Sequence, residues 1–274
     1  MLTVRRVRFA WPEAIDSDWI PAHPEFAYAA NGVSLLMPYA EPLFIDAVRE
    51  AAQALPPKDA ARLAAYTGQE TTHWREHERL NSLLRRRHPS LSRVERWADA
   101  CARWVRRRST AFKVAFAAGG EVMSFLLARW VDRNAPRVFR GADPMVASIF
   151  LWHLAEEVEH KSAAADVFEA VDGSRVRYAV AMVTGSSMLF FLVWIAMLIQ
   201  LRDAGRLLSP LAHLRILRWA LDLGFTLLPG MFVSALPGHG PRTFADPPLL
   251  STWLRSYDPV SRTMPLWERD GRTA

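Results

Sequence analysis

Two short segments of this chain carry one pattern, Glu70-Thr71-Thr72-His73 and Glu157-Val158-Glu159-His160. Within a helical run, Glu-x-x-His projects a carboxylate and an imidazole from one face, a turn apart. Each pair is preceded by a separate helical segment with a lone glutamate in apolar surroundings, Glu41 before the first and Glu121 before the second. Desolvation disfavours a buried carboxylate unless it is paired or bound to a metal. Four such segments therefore constrain the chain to an all-α bundle in which four helices turn their polar groups toward a shared interior. The order Glu, Glu-x-x-His, Glu, Glu-x-x-His predicts two metal ions held between them.

Taken singly, these residues are less specific. Glu41, between Ala40 and Pro42, also fits a surface position or the N-terminal turn of a helix. Glu121 lies in the apolar run from Ala117 to Leu126, where an unpaired carboxylate is expensive to bury. In the second motif Glu156 and Glu159 offer a competing register, since Glu156 and His160 are four apart. Glu157 is preferred because His153, Glu157 and His160 follow at four and then three and share a face. Glu156 and Glu159 then point to the side, toward Lys161 or an arginine. His153 reads as a further ligand or as a donor to a ligand carboxylate. His77, one turn after His73, mirrors it as an outer partner or a ligand. The expected metal ligands are Glu41, Glu70, His73, Glu121, His153, Glu157 and His160, and no catalytic residue is expected beyond them. Bridging and terminal carboxylates neutralise much of the charge of two divalent ions, and one imidazole per ion leaves coordination positions open.

The single cysteine, Cys101, excludes an internal disulfide and a thiolate cluster, so any metal rests on carboxylate and imidazole. Arg5, Arg6 and Arg8 near the N-terminus are followed by no apolar run, so no signal peptide is read and a cytoplasmic location is expected. Net charge is +6, with basic runs at Arg85–Arg87 and Arg106–Arg108. No recognition motif accompanies them, so they read as solvated helix faces rather than a nucleic-acid surface. Attraction to anionic lipid headgroups is a second reading, which would put the chain at the inner face of the membrane.

The chain reads as a single helical domain over 1–274, with the metal-binding bundle over about 31–171, apolar helices over about 176–236 and an irregular tail over 237–274. Residues 1–30, rich in proline and aromatics, predict an extended wrap. A first helix is expected from Gly32 to Leu55, kinked by Pro38 and Pro42 or starting late near Glu41, and stopped by Pro56-Pro57. A second is expected from Lys58 to Arg87. A third is expected from Ser90 or Ser92 to Arg133, broken at Gly119-Gly120. A fourth is expected from Asp143-Pro144 to Asp172-Gly173. Tyr178 to Leu201 is 24 residues without a charge, about 36 Å of helix and long enough to cross a bilayer. It reads first as a helix buried in the bundle or covered by a partner, then as monotopic membrane contact, and last as a true span. A homodimer is compatible with that first reading.

On these residues the chain resembles the ferritin-like di-iron carboxylate superfamily over about residues 31–171. It also resembles a bacterial family described as predicted metal-dependent hydrolases, through Met37-Pro38-Tyr39-Ala40-Glu41-Pro42, Gly68-Gln69-Glu70 and Glu156-Glu157-Val158-Glu159-His160-Lys161-Ser162. His153 before Glu157 gives His-x-x-x-Glu-x-x-His. This looks like the p-aminobenzoate N-oxygenase group, and the resemblance would make His153 a ligand to the ion held by Glu157 or His160. These resemblances imply two iron ions, or manganese with iron, and an oxygenase or oxidase that uses dioxygen and an electron donor on an apolar, lipid-like or arylamine substrate. Trp74, Trp104, Trp130, Trp152, Phe125 and Phe150 are candidates to line its pocket. The alternatives are a hydrolase with a dinuclear site and a non-catalytic metal-binding scaffold.

Overall fold

The computed structural model describes residues 2–53, 55, 56 and 59–268. Among them there is no β-strand, as expected. The helices are α1 (Pro24–Ala52), α2 (Ala60–Arg87), α3 (Ser92–Arg106), α4 (Thr110–Val138), α5 (Pro144–His160), α6 (Ala163–Val171), α7 (Arg175–Asp203), α8 (Pro210–Ala235) and α9 (Pro248–Leu254). Glu41 lies on α1, the first motif on α2, Glu121 on α4 and the second motif on α5, one ligand-bearing segment per helix. α1 packs against α2, α4 and α7, and α4 packs in turn on α5, α6 and α8.

Helix α1 neither kinks apart nor starts late. It begins at Pro24, a favourable first-turn proline, and runs through both internal prolines. Pro38 has no N–H, so the carbonyl of Ser34, four residues earlier, loses its helical donor. Asn81 Nδ2 on α2 donates to that carbonyl at 2.9 Å instead. A neighbouring helix thus repairs the backbone defect. Pro57 and Lys58, where the first helix was expected to have stopped and the second to start, lie outside the described residues.

The long third helix is two helices. Ser109 caps α4, its hydroxyl accepting from Phe112 N–H, and this local competition ends α3 at Arg106. Gly119 and Gly120 do not break α4. They permit close approach instead: a Cβ on Gly119 would lie 2.8 Å from Met182 Cα of α7, and one on Gly120 would meet the ring of Phe44. The fourth segment also divides, immediately after His160, where Lys161 Nζ donates to the Phe244 carbonyl at 2.7 Å.

The N-terminal wrap ends at His23, where α1 takes over, rather than at residue 30. Its Trp19 stacks on Phe150 at 5.3 Å and donates to Asn31 Oδ1 at 2.9 Å. Asn31 donates in turn to Gln200 on α7 at 2.8 Å. The C-terminal tail includes helix α9, and its Trp253 and Trp267 are buried while Tyr257 is half-buried.

Helix α7 is not buried within the bundle, one half of the first expectation; the face it leaves open is the one that a partner was expected to cover. Leu192, Ala196 and Met197 face inward, while Val176, Val180, Val183, Phe190, Phe191 and Trp194 are exposed. α8 repeats the arrangement through Leu214, Leu217, Leu221, Phe225, Leu228 and Phe232. Three described helices, α4, α7 and α8, are long and apolar enough to cross a membrane, and α4 is the most buried of them.

Candidate metal centre

Four helices bring all seven expected residues into one buried cluster. Glu70, His73, Glu157 and His160 each present a ligand atom within 4.8 Å of the others, and Glu41, His73 and His153 form a second such group. His73 is common to both, and Glu157 touches both, with Oε1 2.9 Å from His153 Nε2. The i, i+3 and i, i+4 spacing on α5 makes this contact unavoidable, because His153, Glu157 and His160 stack along one face.

The outer partners fix which ring nitrogens face inward. Glu156 Oε2 lies 2.9 Å from His73 Nε2, leaving His73 Nδ1 toward Glu157 at 3.8 Å. Glu121 Oε2 lies 2.7 Å from His160 Nδ1, leaving His160 Nε2 toward Glu70 at 3.1 Å. For His153 the assignment runs through four residues. The Ser34 carbonyl accepts only, so it orients the Asn81 amide, and Asn81 Oδ1 must take the Ser34 hydroxyl hydrogen at 2.7 Å. Ser34 Oγ then accepts from His77 Nδ1 at 2.8 Å, and His77 Nε2 accepts from His153 Nδ1 at 2.7 Å. His153 Nε2 is left with a lone pair facing the Glu157 carboxylate, an approach of two acceptors that only a proton or a metal ion between them relieves.

The same test applies to the oxygens. Both carboxylate oxygens of Glu41, both of Glu70, and Glu157 Oε2 are buried without a hydrogen-bond partner among the described residues, as are His73 Nδ1 and His160 Nε2. Uncompensated buried groups of this kind are costly unless something absent from the chain satisfies them. Burial, with Glu157 and Glu121 nearby, raises the Glu41 carboxyl well above its ordinary range, and burial with Glu121 and Glu157 does the same to Glu70. Burial lowers His73 and His77, which keeps both imidazoles neutral. Burial also pulls on His160, but Glu157 and Glu121 outweigh it and hold that imidazole at about 9. These carboxyl groups and imidazoles converge, and once Glu41, Glu70 and His160 give up their protons the donor set fits a pair of divalent ions.

Glu121 is brought to the site but lies outside both groups, its oxygens engaged by Tyr66 Oη at 2.8 Å and His160. Of the partners expected for Glu156 and Glu159, Lys161 or an arginine, it is an arginine that pairs with both, but Glu156 does not point to the side. It is buried beside His73, and Arg5 reaches it at 3.2 Å while also pairing with Glu159 at 2.7 Å. Sequence reasoning missed Arg5, Ser34, Tyr66 and Asn81. The last three are polar residues in buried positions of helices already marked by ligands, a signal visible only once the inward faces are known.

An apolar cavity of about 240 Å³ ends at this cluster. Glu41, Glu70, His77, His153 and Glu157 close its inner end, and α1, α3, α4, α7 and α8 wall it. Of the six aromatic residues expected to line a pocket, only Phe150 does so. Trp130, Trp152 and Phe125 are core, and Trp104 is 41% exposed. No other described lining residue is charged.

A family model described as predicted metal-dependent hydrolase matches residues 3–247, nearly the whole chain and every residue of the cluster. No curated protein and no solved structure matches. The chain belongs to that predicted metal-dependent hydrolase family.

Proposed function

We propose that this metal-dependent family member is an enzyme holding two metal ions through Glu41, Glu70, His73, His153, Glu157 and His160, and that it hydrolyses a substrate with an extended apolar part. The observation that carries this reading is the convergence of buried, unpartnered carboxylate and imidazole atoms at the end of an apolar cavity. Two bound divalent ions supply Lewis-acid activation of water and of a carbonyl or phosphoryl oxygen, or, where they are iron, reduction of dioxygen. The chain's own residues orient and seal. Glu156, Glu121 and His77 each hold one ligand imidazole with its lone pair inward. Arg5 anchors the N-terminal segment across α5 through Glu156 and Glu159, and Gln69 donates to the Thr3 carbonyl at 3.0 Å, which closes that side to water. The run from Asn81 through Ser34 and His77 to His153 is buried throughout, so it positions His153 and offers no proton path to solvent.

A second reading is an oxygenase using dioxygen and an external electron donor on a lipid-like or arylamine substrate. The observation favouring it is the wall of the cavity. Beyond the ligands and His77 its polar side chains are Tyr39, Cys101, Ser124, Ser186 and Trp219, none of them an acid suited to protonating a leaving group near neutral pH. The separating experiment loads the purified chain anaerobically with Fe(II), Mn(II) or Zn(II), counts metal per chain, and assays acyl and phosphoryl esters with and without dioxygen. Two metals per chain with anaerobic turnover on zinc or manganese is the expected result. Dioxygen uptake with iron and no anaerobic turnover selects the oxygenase. Metal binding without turnover in either arm selects a non-catalytic store, and fewer than one metal per chain overturns all three.

A further inference from the structure

We infer that the outer face of α7 and α8, rimmed by α3, seats on a bilayer containing anionic lipid, and that the cavity draws the acyl chain of a membrane lipid from it. The substrate half of this inference rests on the metal-enzyme reading above. The surface half does not.

Three observations carry it. The first is composition without charge on an exposed surface. Residues 178–201 of α7 and 223–235 of α8 carry no charged side chain, and Val180, Val183, Phe190, Phe191, Trp194, Phe225, Leu228 and Phe232 among them are exposed. A contiguous exposed apolar face of this kind marks an interaction surface, not an ordinary monomer exterior.

The second observation is what borders that face. Helix α3 and the turn after it, residues 92–109, carry six arginines and two acids. Trp97, 47% exposed, stacks on Phe191 of α7, and Trp104, also exposed, lies under the Arg108 guanidinium at 4.2 Å. Exposed tryptophans among arginines beside an apolar face are the arrangement of an interfacial helix at anionic headgroups. A second copy of this chain would have to bring its own arginines against these. An anionic bilayer complements them.

The third observation is continuity with the metal centre. Phe190, 44% exposed on the apolar face of α7, also lines the cavity whose far end is Glu41, His153 and Glu157. Leu189, Val193 and Leu223 line it too. A lipid tail entering at Phe190 would run along a wall that is uncharged up to the ligands and His77, and apolar apart from Tyr39, Cys101, Ser124, Ser186 and Trp219. In the bundle that α7 and α8 pack on, Arg75, Arg79, Arg86 and Arg87 of α2 are exposed, which keeps that helix in water.

The test is co-sedimentation of the metal-loaded full chain with vesicles of phosphatidylcholine alone or with phosphatidylglycerol added. The chain is expected to pellet with the mixed vesicles, less with phosphatidylcholine alone, and less as salt rises. Replacing Phe191→Glu with Phe225→Glu, both exposed, is expected to weaken partition by roughly 10- to 100-fold with helicity and metal content unchanged. Leu189→Trp, which fills the cavity near its mouth, is expected to keep vesicle binding and metal but lose fluorescence enhancement of bound parinaric acid. A folded, metal-loaded chain that ignores anionic vesicles overturns the inference, as does a dimer in sedimentation that the double substitution dissociates without any vesicle binding. Unchanged parinaric acid binding by Leu189→Trp overturns the substrate half. Vesicle binding with no bound metal leaves the surface standing and removes the metal-enzyme reading, so the two failures are distinct.

Discussion

Helices α2 and α7 depart from ordinary sorting in opposite directions. The inward face of α2 buries Gln69, Glu70, His73, Glu76, His77 and Asn81, while Arg75, Arg79, Arg86 and Arg87 face water. The outward face of α7 exposes Val180, Val183, Phe190, Phe191 and Trp194, while its buried Gln200 is fully bonded to Asn31 and the Tyr28 carbonyl. Polar groups inside and apolar groups outside each cost free energy, and a chain keeps such arrangements where something beyond itself completes them. For α2 that component carries positive charge, because the unsatisfied atoms are carboxylate oxygens and imidazole lone pairs. For α7 it is apolar.

The contrast can be broken hardest at Glu157, which touches both ligand groups. Glu157→Ala is expected to bind fewer than one metal per chain by elemental analysis. It should also lose the stabilisation a ligand confers, about 2.7 kcal/mol at a hundredfold excess over Kd. An unchanged metal count would remove Glu157 from the site. His77→Phe is expected to lower affinity at the His153 half by roughly 10- to 100-fold while sparing the other ion. Titration should then give one strong and one weak site, and two equal sites would show that His77 does not orient His153.

Glu41→Leu sharpens the comparison by moving stability and binding in opposite senses. Without metal the substitution removes two buried unpartnered oxygens and is expected to stabilise by about 1–3 kcal/mol in denaturant unfolding. With metal it should weaken binding. Destabilisation of the metal-free protein would mean that Glu41 has a partner there. Next comes pH. The His160 imidazolium, held at about 9, must lose its proton before Nε2 can bind an ion. Apparent metal affinity should therefore rise with pH, about tenfold per unit below that value, and calorimetry showing no dependence between pH 6 and 8 would remove His160 from the ligand set. The smallest effect is expected on the other region. Leu221→Lys on exposed α8 should change stability by no more than about 0.5 kcal/mol, and a loss of several times that would mean that α8 packs more tightly than its exposure indicates.

The ligand helices were legible in sequence because Glu-x-x-His and the lone glutamates are local patterns whose geometry a helix fixes. The helix boundaries were less so. Pro38 reads as a breaker until Asn81, 43 positions later, supplies the donor that lets α1 continue. The break before Ser109 was not read at all, and Gly119-Gly120, read as the break, serves packing against Met182 and Phe44. Glu156 read as a side-facing charge because its partner, Arg5, lies 151 residues away. The apolarity of Tyr178–Leu201 was plain from sequence, but which side of it faces the bundle depends on the rest of the fold.

The repair at Pro38 also bears on how many proton arrangements the centre can adopt. Each bond in the run from the Ser34 carbonyl to His153 has a direction, and all the directions descend from that one carbonyl, which can only accept. An alanine at position 38 would return a backbone N–H to it. The carbonyl would then no longer need the Asn81 amide, which could swing off it and turn over, and with it the Ser34 hydroxyl could point the other way and His77 and His153 exchange tautomers together. Two arrangements close in energy would replace one, and in the second the N–H of His153, not its lone pair, would face Glu157. The proline thus removes a degeneracy from the metal centre by what it cannot donate.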